Sequence, residues 1–131
     1  MSLLLMYLTV ALGGALGACA RFGIARAMGR SFSQTGFPVG TFTANVIGCF
    51  LLGIVYVLGR QGWVAESHRL FWATGVMGAL TTFSTFSVEG ILLLETGRWK
   101  LALTYWAVSL VSGILMAFLG MQLAEKLTGS V

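Results

Sequence analysis

The sequence predicts an all-α membrane protein of four transmembrane helices, and three observations lead there. Hydrophobic residues fill 57% of the 131 positions and charged residues only 9%, against about 25% charged in a soluble domain. Mean hydropathy is +0.90. The charges also come in clumps, leaving residues 1–20, 31–59, 70–88 and 101–124 with none. A bilayer core of ~30 Å takes roughly 20 apolar residues of helix, so each gap fits one crossing. Eight Lys/Arg, four Asp/Glu and one His cannot cover a water-exposed surface, which excludes a soluble globular enzyme. The +4 net charge is scattered without a basic run, which excludes disorder and a nucleic-acid partner. A chain of this length makes one domain, here a single subunit spanning 1–131.

The spans are expected at about 3–28, 40–59, 70–94 and 100–124. Turn-rich and polar stretches at 29–38, 60–69 and 96–100 separate them. Pro38, the only proline, falls in the first of these, where it breaks no helix. Residues Leu16-Gly17-Ala18-Cys19 imitate a lipoprotein cleavage box, but the first cation is Arg21 and a signal peptide needs a positive start. Cys19 and Cys49 lie inside apolar segments and read as small packing residues. His68 has no metal-binding neighbour and reads as a loop residue.

Four spans put Arg60, Arg69 and Lys126 on one side, and Arg26, Arg30, Arg98 and Lys100 on the other, with Arg21 deeper in the first span. Orientation follows a Lys/Arg excess, and so small an excess permits both orientations. Copies could then pair antiparallel, as inverted repeats do within larger transporters; a single topology with a modest bias is the alternative. Gly13 and Gly17 make a GxxxG spacing suited to close helix approach in lipid.

The third span carries the chemistry. Thr81, Thr82, Ser84, Thr85 and Ser87 crowd seven positions about halfway across, with Gly75 and Gly78 before them. Threonine is a weak helix former, and short hydroxyl side chains compete for backbone groups. An interrupted helix is expected near 78–82, and its freed carbonyls must face protein or water, not lipid. The alternative is an unbroken helix whose hydroxyls bond back to the i−4 carbonyl. Phe83 and Phe86 are spaced i, i+3, and a ring's positive edge attracts an anion weakly enough to release it. Thr41 and Asn45 share a face of the second span, and Tyr105, Ser109 and Ser112 form a stripe on the fourth. These stripes, free of Lys and Arg, suit conduction, which needs sites that replace hydration yet let the solute go. Glu89 and Arg21 are the charged residues inside spans, candidate vestibule groups unless they snorkel.

The strings Gly40-Thr-Phe-Thr-Ala-Asn45-Val-Ile-Gly48 and Gly78-Ala-Leu-Thr-Thr-Phe83-Ser-Thr-Phe86-Ser87 closely resemble the Fluc/CrcB family of bacterial fluoride channels. The stretch from Gly13 to Phe22 looks like that family's first-span motif, so the resemblance covers essentially the whole chain. It implies an antiparallel dual-topology homodimer in the bacterial inner membrane, helix 3 broken near mid-membrane, and two fluoride pores. It places Phe83, Phe86, Asn45, Tyr105, Ser109 and Ser112 along the fluoride path, to which the hydroxyls of Ser84 and Thr85 are added. Arg21 matches a vestibule arginine, and Glu89 is grouped with it. A structural sodium ion is implied on the two-fold axis, held by backbone carbonyls at Gly78 and Thr81. Ala79 departs from the second glycine common there. Hydrogen fluoride crosses bilayers neutral and is trapped inside as the anion, so a passive selective channel lowers its toxicity by letting the membrane potential expel it. A small multidrug-resistance-type transporter is the competing expectation, but that class needs an acid in the first span, and none is present. A structural or holin-like subunit is a third. No nucleophile–base pair or metal cluster suggests an enzyme.

Overall fold

In the computed structural model, the backbone is described for residues 1–129, and the side chains of 30–34 lie outside the described residues. The side chain of Arg30, one of the cations assigned above to the first loop, is among those. The described chain is helical: α1 (Leu3–Thr35), α2 (Val39–Arg60), α3 (Glu66–Arg69), a π-helical segment (Leu70–Met77), α4 (Gly78–Leu80), α5 (Phe83–Glu95) and α6 (Trp99–Thr128). Four stretches are long and apolar enough to cross a membrane: Leu3–Gly29, Val39–Arg60, Glu66–Glu95 and Trp99–Thr128. They are apolar nearly all round, as helices must be when lipid is the solvent.

Helix ends follow local chemistry. The turn-rich stretch at 29–38 is mostly helix, because α1 continues to Thr35. Only Gly36, Phe37 and Pro38 link it to α2, so Arg26 and Arg30 sit on a helix instead of a loop. Pro38 precedes α2 with φ −72°, where a missing N–H leaves no helical bond unmade. Gly129 ends α6 at φ +69°, a left-handed stop that glycine reaches without strain.

α2 packs chiefly against α6, and α1 chiefly against the π-helical segment. The latter contact is backbone to backbone. A Cβ at Gly17 would run into the Val76 carbonyl, and one at Gly13 into that of Phe71. The widened π turn presents its carbonyls to a glycine stripe, and such turns concentrate at functional positions. At one end of the bundle an ion pair, Arg60 to Glu125 at 2.8 Å, ties α2 to α6.

Between α4 and α5 the backbone leaves the helical region. Thr81 sits at φ −79°, ψ 152° and Thr82 at φ −149°, ψ 116°. Gly78 itself is helical at φ −61°, ψ −33°. The extended pair is therefore the two threonines, and glycine freedom is not what permits it.

Candidate functional site

Two extended residues inside an apolar span leave backbone groups that need partners. Asn45, on α2, supplies two of them. Its Oδ1 accepts from the Thr82 N–H at 2.7 Å and its Nδ2 donates to the Thr82 carbonyl at 3.2 Å. One amide thus clips both backbone groups of one residue, as a neighbouring strand would. The Thr82 hydroxyl then caps α5 by accepting the Thr85 N–H at 3.2 Å. It also donates to the Thr85 hydroxyl at 3.0 Å, with the Ser84 hydroxyl 3.3 Å away. The Ala79 carbonyl accepts Nε of Arg21 at 3.0 Å, so this arginine points inward and does not snorkel.

These bonds decide which carbonyls are left over. In a continuous helix the N–H groups of Thr82 and Thr85 would bond the carbonyls of Gly78 and Thr81. Here those donors go to Asn45 Oδ1 and Thr82 Oγ1. The carbonyls of Gly78 and Thr81 lose their helical partners, while those of Ala79 and Thr82 are occupied. Such unclaimed peptide oxygens are the donor type a hard cation takes. Among the described residues no cluster of His, Cys, Asp or Glu could hold a metal.

Beside the extended pair lies a crevice of about 400 Å³ between α2, α5 and α6, lined by Asn45, Thr81, Thr82, Phe83, Phe86 and Ser109 with Cys49, Leu52, Gly113 and others. Phe83 is 77% exposed and Phe86 only 8%, so one ring lies on the subunit surface and the other in its core. Their centroids are 5.8 Å apart at 43°. The Ser109 hydroxyl is buried without a hydrogen-bond partner. An unpaired buried hydroxyl is costly unless something else bonds it.

A second group lies on the same line. The Glu89 carboxylate accepts the Thr41 hydroxyl at 2.9 Å and the Tyr105 hydroxyl at 2.8 Å. Tyr105 is fully buried, and its ring packs 5.2 Å from that of Phe86. Glu89 therefore does not snorkel; three helices meet at its carboxylate.

Of the residues singled out from sequence, Asn45, Phe83, Phe86, Thr81 and Ser109 share the crevice. Ser84 and Thr85 belong to the α5 cap, Tyr105 and Glu89 to the carboxylate group, and Arg21 to the Ala79 carbonyl. Ser112 is half-buried outside the crevice lining. Thr41 and Asn45, one face of α2, divide between the two groups. Cys49, read from sequence as a small packing residue, and Gly113, which has no side chain to give a signal, also line the crevice.

Four helices long and apolar enough to span a membrane, with hydroxyls, an amide, a carboxylate and rings held between them, define a multi-pass helical membrane protein. A family model described as "CrcB-like protein, Camphor Resistance (CrcB)" matches residues 8–121, and the chain belongs to that family. A protein of Shewanella loihica is 45% identical over 114 residues, covering 87% of this chain and 91% of its own length. One of Thermus thermophilus is 44% identical over 123 residues, 94% of this chain and 96% of its own. One of Saccharophagus degradans is 42% identical over 125 residues, 95% of this chain and 92% of its own. All three carry the name "Fluoride-specific ion channel FluC".

Proposed function

We propose that the chain is the subunit of a passive fluoride channel that lowers cytoplasmic fluoride by letting the anion leave across the bacterial inner membrane. The observation carrying this reading is the buried, unpaired Ser109 hydroxyl lining the same crevice as the Phe83 and Phe86 rings. It offers a hydrogen-bond donor and positive ring edges without a cation that would hold the anion fast. Thr41 and Tyr105 turn their hydroxyl protons toward Glu89, which leaves the Ser109 hydroxyl as the free donor beside the two rings in the crevice. The names of the relatives agree with fluoride as that ion. A channel performs no covalent chemistry, so no catalytic role is assigned.

The working unit in this reading is an antiparallel homodimer with two pores, helix 3 being interrupted at mid-membrane by Thr81 and Thr82. The exposure of Phe83 and the open crevice support it, since a second copy would cover the ring and close the path. A sodium ion on the two-fold axis is part of the reading. The Gly78 and Thr81 carbonyls, stripped of helical partners, have the chemistry to hold it, and the ion would supply positive charge that fixes two extended segments together.

Fluoride efflux from proteoliposomes, with chloride as control, tests the function. Fluoride-selective efflux is expected; silence, or equal passage of both halides, overturns it.

A further inference from the structure

At the end of the bundle where α2 and α6 begin, three residues without a role so far close over the Glu89 group. Gly36 adopts φ +69°, and the turn folds the three-residue link inward. The Phe37 ring then meets Tyr105 edge-on at 5.3 Å and Phe42 at 5.7 Å. It packs on the buried cluster of Phe86, Leu93, Ala102 and Tyr105. Outside it, Arg98 at the start of α6 reaches across, and its Nη2 donates to the Thr35 carbonyl at 2.9 Å. Its guanidinium fills the space a side chain at Gly36 would need.

The layering follows the order of residues along the helices. Passing inward along α6 one meets Arg98, Tyr105 and Ser109; along α2, Thr41 and then Asn45. Phe37 contacts the Tyr105 ring and the neighbour of Thr41, so it lies at the outer end of the polar line. An aromatic face is negative and offers an anion no hydrogen-bond donor. The Arg98–Thr35 bond ties the last residue of α1 to the residue that caps α6, at the exposed end of the bundle and outside the packed helix faces. Its loss leaves intact the α2–α6 packing and the Arg60–Glu125 pair at the far end. A single exposed charge-assisted bond of this kind exchanges readily with water.

We infer that Phe37 is a cover over the Glu89–Thr41–Tyr105 mouth, hinged at Gly36 and latched by Arg98, and that this mouth takes up or releases the ion only when the latch lets go. The inference rests on the channel reading. Five preparations distinguish the two: wild type, Arg98→Gln, Phe37→Leu, the double variant and Arg98→Lys, each assayed for fluoride and chloride efflux from proteoliposomes and for melting temperature. Arg98→Gln and Phe37→Leu should each raise initial fluoride efflux about threefold or more, as a shifted closed–open equilibrium requires, with chloride still excluded. The double variant should run no faster than the faster single one, and Arg98→Lys should fall between. Wild-type rates in both singles, or slower efflux at unchanged melting temperature, overturn the cover while leaving the channel standing. So does collapse of both variants on purification, since the latch then holds the fold and not the mouth. No fluoride efflux from wild type or either variant overturns the channel and the cover together.

Discussion

Asn45 shows how much one side chain can decide. Its amide holds both the N–H and the carbonyl of Thr82, and an isosteric apolar residue leaves both buried groups unpaired at about 1–3 kcal/mol each. Asn45→Leu should therefore lower the melting temperature and abolish flux. Asn45→Asp keeps the acceptor for the Thr82 N–H but, when ionised, faces the Thr82 carbonyl with a second acceptor and puts negative charge beside an anion path; flux should fall below one-tenth of wild type. Undiminished flux in either variant removes Asn45 from the proposal. Phe83 and Phe86 separate differently. Ile in place of either should stop fluoride flux, but only Phe86→Ile, in the core, should lower subunit stability, by about 1–3 kcal/mol. A thermal melt beside the flux assay checks the difference, and normal flux in both variants rejects the ring-edge idea.

Among the elements, α1 depends most on the absence of side chains. Gly13 and Gly17 bring its backbone onto the π-helical segment, and backbone cannot yield as a side chain tip can. Gly17→Leu should prise α1 away, destabilise the fold by about 1–3 kcal/mol or more, and weaken the Arg21 bond to Ala79; comparing melting temperatures with Gly14→Leu, where the space is open, isolates the effect. The helices themselves were legible as charge-free stretches, since in lipid apolar length and crossing are nearly the same fact. The far end of α1 was not. Residues 29–38 read as a turn-rich stretch by composition, yet α1 holds its helical course to Thr35. The hydroxyl cluster pointed to Thr81 and Thr82, but their backbone partner was invisible, because Asn45 lies 37 residues away. Nor did the sequence foretell the division of Thr41 from Asn45: a shared helix face says which residues look one way, not what each reaches.

The whole subunit leaves an unusual amount of apolar surface outward, including Phe83, Leu103, Val111 and Ile114, which lipid or a second copy must cover. Antiparallel pairing requires both insertions. Two lysines added at one terminus should fix a single orientation by the Lys/Arg rule. Expressed alone, such a variant should lose most of its activity, and coexpression with an oppositely biased variant should restore it. Full activity from a variant with proven single topology argues against antiparallel pairs.

The chain also carries its own humidity gauge. Cys49 lines the crevice, whereas Cys19 lies exposed on α1, outside it. A membrane-impermeant thiol reagent small enough to follow water should modify Cys49 in the assembled protein and spare Cys19 if lipid covers it, because only a thiol that meets water forms the reactive thiolate; peptide mass analysis would register which cysteine carries the label.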